Sequence, residues 1–111
     1  MATNKNQLRE DAVELALLVS SILEKVKGNS VYAERMENAA VTVGATLTSL
    51  KNPRDEVGIV RRLNVALDAL CEILFAAKVL MVSGKITEET YKILKKMIGS
   101  MERRIVAGLA D

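Results

Sequence analysis

Two carboxylates one helical turn apart, Asp68 and Glu72, are the first candidates for chemistry in this sequence of 111 residues. Residues at this spacing share a helix face, and paired carboxylates there can act in acid–base catalysis or bind metal ions. However, no histidine, nucleophile or third carboxylate accompanies them. Arg61 lies on the same side, and Arg35 or Arg54 could reach the pair from elsewhere. We therefore predict a structural ion-pair network, within or between subunits, in which an arginine holds Glu72.

A line of cations, Lys92, Lys96 and Arg103, is the second candidate, because its spacing places the three side chains along one side of a helix. Lysines one turn apart can follow a phosphate backbone without reading bases. Three further cations could extend the line: Arg61, Arg62 and Lys85. For a single chain a solvated helix face is the better interpretation, but in a ring of copies the two interpretations are evenly balanced. No aromatic residue lies among the cations, so base stacking is not expected here.

The sequence lacks the residue types on which most enzyme sites depend. Histidine, the commonest general base and metal ligand, is absent, and Cys71 is the only cysteine. Because Lys78 lies two turns from Cys71, too far to activate it, we expect a small, partly buried side chain and no nucleophile. A lone cysteine also excludes a disulfide within the chain and suits a reducing compartment. We predict no catalytic activity, no cofactor and no metal.

The composition is typical of one aliphatic, helical domain. Half of the residues are hydrophobic, only 3% are aromatic, and there is one proline. The net charge of +2 gives no strong electrostatic preference for a partner. The first residues lack the apolar core of a signal peptide, and the longest apolar run, residues 73–82, is too short to span a bilayer. We therefore predict a cytoplasmic protein.

Apolar residues recur at intervals of three and four in four segments, which predicts four α-helices. Their approximate bounds are residues 6–27, 30–51, 53–83 and 87–108. Gly28 suits the position just beyond the first helix, where the backbone is often left-handed. Asn29 or Ser30 caps the second helix. A glycine inside a helix lowers the stability of the helix by about 1 kcal/mol relative to alanine. The presence of Gly44 therefore indicates close packing with another helix or a bend.

The third segment organises the rest of the chain. Asn52, Pro53 and Asp55 suit the start of a helix, and at 1.5 Å per residue this helix is roughly 40 Å long. Its apolar stripe comprises Ile59, Leu63, Ala66, Leu70, Ile73, Ala77 and Leu80. From Ile73 to Val82 it is apolar on every side except at Lys78, and such a helix should be buried all round. A small bundle covers only one broad face, so we expect another copy of the chain to cover the remainder.

Short connections between the four helices predict antiparallel neighbours. Ser83-Gly84 ends the third helix, and Thr87 caps the fourth. The predicted fold is therefore an all-α, up-down-up-down four-helix bundle that assembles into a ring-like homo-oligomer.

Several short motifs in these helices resemble a known family. They are Ala39-Ala40-Val41-Thr42-Val43, Arg62-Leu63-Asn64-Val65-Ala66-Leu67, Glu72, Ala77-Lys78, Thr87-Glu88-Glu89-Thr90-Tyr91 and Ile98-Gly99-Ser100-Met101. With the helix lengths, they resemble the 23S ribosomal RNA intervening-sequence proteins over about residues 8–108. That family is similar to the accessory variability protein (Avd) of diversity-generating retroelements.

The resemblance implies a homopentameric barrel without enzymatic activity. For the Avd-like branch it also implies binding to a reverse transcriptase and to nucleic acid. Members of the family often carry two arginines where this sequence has Glu37 and Asn38, and their Asn-Ile-Ala-Glu-Gly segment is replaced at residues 46–50. Both departures weaken any transfer of RNA contacts to that end of the molecule.

The favoured functional hypothesis is a non-enzymatic oligomeric scaffold that binds RNA or a nucleic-acid enzyme, such as the reverse transcriptase of a retroelement. The alternative is a protein–protein interaction or structural module with no role in nucleic-acid binding. A reverse-transcriptase gene next to the gene for this protein would favour the first hypothesis.

Overall fold

The computed structural model describes residues 5–26, 30–50 and 56–110, which form four α-helices. These are α1 (Lys5–Lys25), α2 (Val31–Thr48), α3 (Glu56–Val82) and α4 (Glu88–Ala110). Helix α2 ends short of the predicted residue 51, and α4 continues beyond the predicted residue 108. Several predictions made above lie outside the described residues: the roles of Gly28, Asn29, Asn52, Pro53, Arg54 and Asp55.

Each helix packs against two neighbours, in the cyclic order α1, α2, α3, α4. The largest interface joins α2 to α3, and the smallest joins α1 to α4. Over the described ranges α1 makes no contact with α3, and α2 makes none with α4. The helices therefore occupy the four corners of an elongated bundle of 45 × 21 × 18 Å. This arrangement confirms the predicted all-α up-down bundle.

The core is aliphatic and follows the predicted helical periodicity. Its fully buried large side chains are Leu8, Leu15, Met36, Leu47, Leu50, Leu63, Leu70, Ile73, Leu80, Leu94, Ile98 and Met101. Each of these contributes roughly 1.5–3 kcal/mol by removing apolar surface from water. No helix in the described part of the chain is long and apolar enough to cross a membrane.

Hydroxyl side chains begin two of the helices. Ser30 Oγ accepts a hydrogen bond from the N–H of Ala33 at 3.4 Å, so Ser30 is the cap of α2. Thr87 Oγ1 accepts one from the N–H of Thr90 at 3.1 Å and caps α4 as predicted. In each case the side chain occupies a backbone donor that has no partner inside the helix.

Gly84 ends α3 in a left-handed backbone conformation, with φ of 78°. The N–H of Lys85 donates to the carbonyl of Leu80 at 2.8 Å, and the N–H of Gly84 donates to that of Met81 at 3.0 Å. These two bonds form a Schellman motif, which favours glycine because a Cβ is strained at positive φ.

Gly44 does not serve a close helix contact within the chain. A Cβ atom placed on Gly44 would meet no other atom within 4 Å. The small residues buried in the bundle are alanines instead, among them Ala39 and Ala40 of α2 and Ala69 and Ala76 of α3. The prediction of close packing at Gly44 is therefore wrong for contacts inside one copy.

The apolar half of α3 is not buried all round in a single chain. Phe75 is 63% exposed and Val82 is 74% exposed, whereas Ile73, Ala77 and Leu80 are buried. Cys71 is exposed, so the prediction that its side chain is partly buried is wrong for a single copy. It lies one turn before Phe75 on the side of α3 that none of the other helices covers.

Candidate functional site

The predicted line of cations lies on the solvent side of α4. Lys92, Lys96 and Arg103 are all exposed, and the helix places them on the opposite side from the buried Leu94 and Ile98. The line extends over about 16 Å, because the helix rises 1.5 Å per residue. The three positive charges therefore face the same direction along one helix.

The charge of Lys92 is partly compensated on its own helix. Lys92 Nζ lies 3.3 Å from Glu88 Oε1, one turn earlier, and both side chains are largely exposed. Exposed pairs of this kind contribute about 0.2–1 kcal/mol, so a phosphate group can replace Glu88 at little cost.

Lys96 and Arg103 continue the line toward the C-terminus. Lys96 forms no ion pair within the described chain and borders a groove between α1 and α4. The Arg103 guanidinium lies against the helix at Gly99. Its Nη1 is 3.6 Å from the position that a Cβ on Gly99 would occupy. Gly99 therefore leaves room for the Arg103 side chain to lie along the helix.

The other three predicted cations lie at opposite ends of the bundle. Arg61 is exposed and Arg62 is half-buried, near the start of α3, where both line a shallow pocket with Gly58. Lys85 is exposed in the turn after α3, roughly 35 Å from Arg61 along the helix axis. The six cations therefore do not form one compact surface.

The two candidate carboxylates differ in their surroundings. Arg35 Nη1 of α2 donates to Glu72 Oε1 of α3 at 3.2 Å. Asp68 is exposed, and it has no ion-pair partner among the residues that the structure describes. Within one copy the structure thus contains an exposed pair that bridges α2 and α3, and the predicted network around both carboxylates is not formed.

Beside this ion pair, two aromatic rings connect the same helices. The rings of Tyr32 on α2 and Phe75 on α3 meet edge to face, with centroids 6.2 Å apart and an interplanar angle of 60°. On the other side of α3, Lys78 Nζ lies 5.3 Å from the ring centroid of Tyr91 on α4. The exposed side of α3 is therefore bordered by contacts to both neighbouring helices.

Asp11 is a buried carboxylate that sequence reasoning missed. It is 6% exposed and accepts hydrogen bonds from Arg104 of α4 and from Gln7 Nε2, the latter at 3.0 Å. The ion pair connects α1 to α4 across the smallest interface of the bundle. One signal was available: Asp11 stands three residues after Leu8 and four before Leu15, both in the apolar stripe of α1.

Arg9 forms a second connection that the sequence did not reveal. Its Nη2 donates to the carbonyl oxygen of Leu50 at 2.7 Å, just beyond the end of α2. A cation at this position complements the negative end of the helix dipole. Among the residues that the structure describes, the buried Nε of Arg9 has no hydrogen-bond partner.

The described residues contain no group of three Cys, Asp or Glu side chains that could hold a metal ion. The groove between α1 and α4 is open, with a volume of about 570 Å³, and Asp11 and Arg104 in its wall are already paired with each other.

Comparisons with known proteins give one informative result. No family model matches the sequence, and no curated protein matches it. The chain is similar to the crystal structure of a protein with unknown function from the S23 ribosomal protein family of Bacteroides thetaiotaomicron. The TM-score is 0.86 at 15% sequence identity, and the match covers 95% of this chain and 93% of the other. At this identity the likeness shows the fold alone, and it agrees with the predicted four-helix bundle.

Proposed function

We propose that this protein is a member of the S23 family, the 23S ribosomal RNA intervening-sequence proteins, and serves as a non-enzymatic oligomeric scaffold that binds nucleic acid. The shared fold over nearly the whole chain and the motifs of α2, α3 and α4 support the family assignment. Following the Avd-like branch, a reverse transcriptase with its RNA is the proposed partner. A homopentamer is the proposed assembly.

The observation that carries nucleic-acid binding is the exposed line of Lys92, Lys96 and Arg103. Its three charges face the same direction on one helix, and all three side chains are exposed. Three phosphate contacts alone give weak binding at physiological salt, because non-specific affinity grows with the number of contacts made at once. In a pentamer the line is repeated five times, and binding at one copy raises the effective concentration at the next.

The experiment replaces Lys92, Lys96 and Arg103 together with glutamine and measures binding to a structured RNA across a salt series. We expect the wild-type protein to bind with little sequence preference and to lose affinity steeply as salt rises. The triple variant should lose most of this affinity while keeping its helical content and its assembly.

A charge-matched control tests whether position matters as well as net charge. Glutamine replaces three exposed cations on the other helices, Lys25, Arg35 and Lys78, none of which is among the six candidate cations. Light scattering checks that this variant assembles like the wild type. This variant should keep most of the RNA affinity. If both triple variants lose affinity equally, net charge rather than the α4 line is responsible. If the wild-type protein binds no RNA at low salt, the alternative of a protein-only interaction module is favoured.

The alternative has its own support in the exposed apolar side chains of α1 and α3, which are suited to protein contacts. Light scattering at micromolar concentration tests the assembly, and a monomer would contradict it. Identification of the proteins that co-purify with the native protein tests the reverse-transcriptase partner.

A further inference from the structure

A pocket lies between the last turns of α1 and the start of α4, beside the turn that connects α3 to α4, and we call it the end pocket. Its volume is about 340 Å³, near the lower limit for small-molecule sites. Helices α1 and α4 share the smallest interface of the bundle, and the short side chains of Ser21 and Thr90 leave space between them. The apolar part of the pocket wall is aliphatic and comprises Leu18, Ile22, Ile86 and Ile93.

Two cations from different elements border the end pocket. Lys25 belongs to the last turn of α1, and Lys85 belongs to the turn between α3 and α4. Both are exposed, and neither forms an ion pair with any residue that the structure describes. The backbone of Lys85 is held in place, because its N–H donates to the carbonyl of Leu80 at 2.8 Å. The pocket therefore joins an apolar wall to two uncompensated positive charges.

The acidic residues nearest in sequence do not cancel these charges. None of the described residues that line the end pocket is acidic. Glu24 and Glu89 are exposed neighbours of lining residues but are not part of the wall. Glu88 lies 3.3 Å from Lys92 and is paired there. A negatively charged group inside the pocket would therefore contact two cations and no carboxylate.

The adjoining groove between α1 and α4 has the opposite character. Asp11 and Glu14 line it, and Asp11 is paired with Arg104. Glu14 has no ion-pair partner among the described residues, so it repels anions from the groove. An anion that enters between α1 and α4 is thus favoured only at the end near Lys25 and Lys85.

Hydroxyl groups in the end pocket can hydrogen-bond an anion directly. Thr87 Oγ1 donates to Thr90 Oγ1 at 2.9 Å, so the hydroxyl proton of Thr90 itself remains available to a ligand. Ser21 forms no hydrogen bond with another described side chain. Hydrogen bonds to a charged acceptor are stronger than those to a neutral one, so these hydroxyls favour an anionic group.

We propose that the end pocket binds a small amphipathic anion, namely a carboxylate with a medium-length saturated chain. The carboxylate contacts Lys25 and Lys85 and accepts hydrogen bonds from the hydroxyls, and the chain contacts the aliphatic wall. A bare phosphate would leave this wall exposed to water, which is why an apolar body is required. The inference goes beyond the proposed function and depends on neither assembly nor nucleic-acid binding.

Isothermal titration calorimetry of the full chain with four probes tests the chemical class of the ligand. Octanoate should bind at a single site per chain. Octanol has the same chain without the charge, and it should bind about tenfold more weakly because it loses charge-assisted hydrogen bonds. Hexanoate should bind about fourfold more weakly for each methylene that it lacks. Acetate, which has no chain to bury, should not bind measurably.

Two variants test the location of the site. The Lys25→Gln, Lys85→Gln double variant should bind octanoate about tenfold more weakly and no better than octanol. Ser21→Leu fills the pocket and should abolish the binding of both probes. All three positions are exposed, so both variants should keep the circular dichroism of the wild type. The matched control, Lys78→Gln with Lys95→Gln, removes two exposed cations outside the pocket and should bind octanoate like the wild type.

Four results would overturn the proposal. If the wild-type protein binds no octanoate, the pocket does not accept this class of ligand. Equal affinities for octanoate and octanol would mean that the two lysines recognise nothing. If inorganic phosphate displaces octanoate at the same concentration, the site binds anions in general and does not use its apolar wall. If Ser21→Leu and the double lysine variant both bind octanoate like the wild type, the ligand binds elsewhere.

Discussion

Asp11 shows how a single buried charge can hold a helix in place. Its carboxylate accepts hydrogen bonds from Arg104 and Gln7, so the cost of burying it is largely offset. Removing one partner of such a pair costs more than the pair contributes, because the remaining group loses its compensation. Arg104 is partly exposed and can be rehydrated, whereas Asp11 cannot.

Substitution of Arg104 by alanine should therefore lower the free energy of unfolding by about 2 kcal/mol, since Asp11 would remain buried with one fewer donor. The Asp11→Ala, Arg104→Ala double variant should lose less than the sum of the two single variants. Urea denaturation of all four proteins measures the coupling. Additive losses would indicate that the two residues act independently.

Glu72 lies in a different environment, and we expect a smaller effect there. Both Glu72 and Arg35 are exposed, so the ion pair is screened by water. Glu72→Gln should lower the free energy of unfolding by less than about 1 kcal/mol. Thermal unfolding at two salt concentrations checks this value. A loss above this range that persists at high salt would mean that Glu72 is buried in the assembly.

The difference between these two sites indicates what the sequence can and cannot specify about side-chain pairs. An arginine partner for Glu72 was expected, with Arg35 among the candidates, because acidic residues near an apolar stripe usually need a cation. The partner of Asp11 lies 93 residues away, and the register between α1 and α4 decides which arginine can reach it. Periodicity within one helix carries no information about that register.

At the scale of the helices, periodicity specified most of the fold. The stripes of α1 and α3 are buried as expected, because an amphipathic helix has only one stable way to face a core. The exposure of Lys92, Lys96 and Arg103 follows from the same rule. Periodicity failed for Phe75 and Val82, since an apolar side chain outside the stripe can be covered by another copy as well as by the same chain.

Two glycines should respond in opposite ways to alanine. Gly44→Ala should raise the free energy of unfolding by about 1 kcal/mol, because Gly44 is inside a helix with open space around it. Gly84→Ala should lower that energy by about 1 kcal/mol, since its positive φ is strained for any residue with a Cβ. Urea denaturation measures both changes. If Gly44→Ala is instead destabilising, another surface, such as a second copy of the chain, must lie close to Gly44.

At the scale of the whole molecule, the exposed apolar side of α3 and the α4 line are separate surfaces, so the proposed assembly and the salt dependence of RNA binding can be tested together. A single chain offers three contacts to phosphates in this line, so the slope of log K against log salt for single-stranded RNA should be about −2. An assembly that engages several copies releases more counterions, and its slope should be steeper.

The Phe75→Asp variant separates these two contributions. A charge at this exposed apolar position of α3 should oppose the proposed assembly, whereas Lys92, Lys96 and Arg103 are on α4. We expect the variant to bind RNA weakly with the shallow slope of one copy, although its α4 line is unchanged. The wild-type protein should bind more tightly at low salt and lose affinity faster as salt rises, since avidity multiplies the contacts. Fluorescence anisotropy across a salt series measures both slopes. Equal slopes for the two proteins would mean that the RNA contacts only one copy, and that assembly serves another purpose.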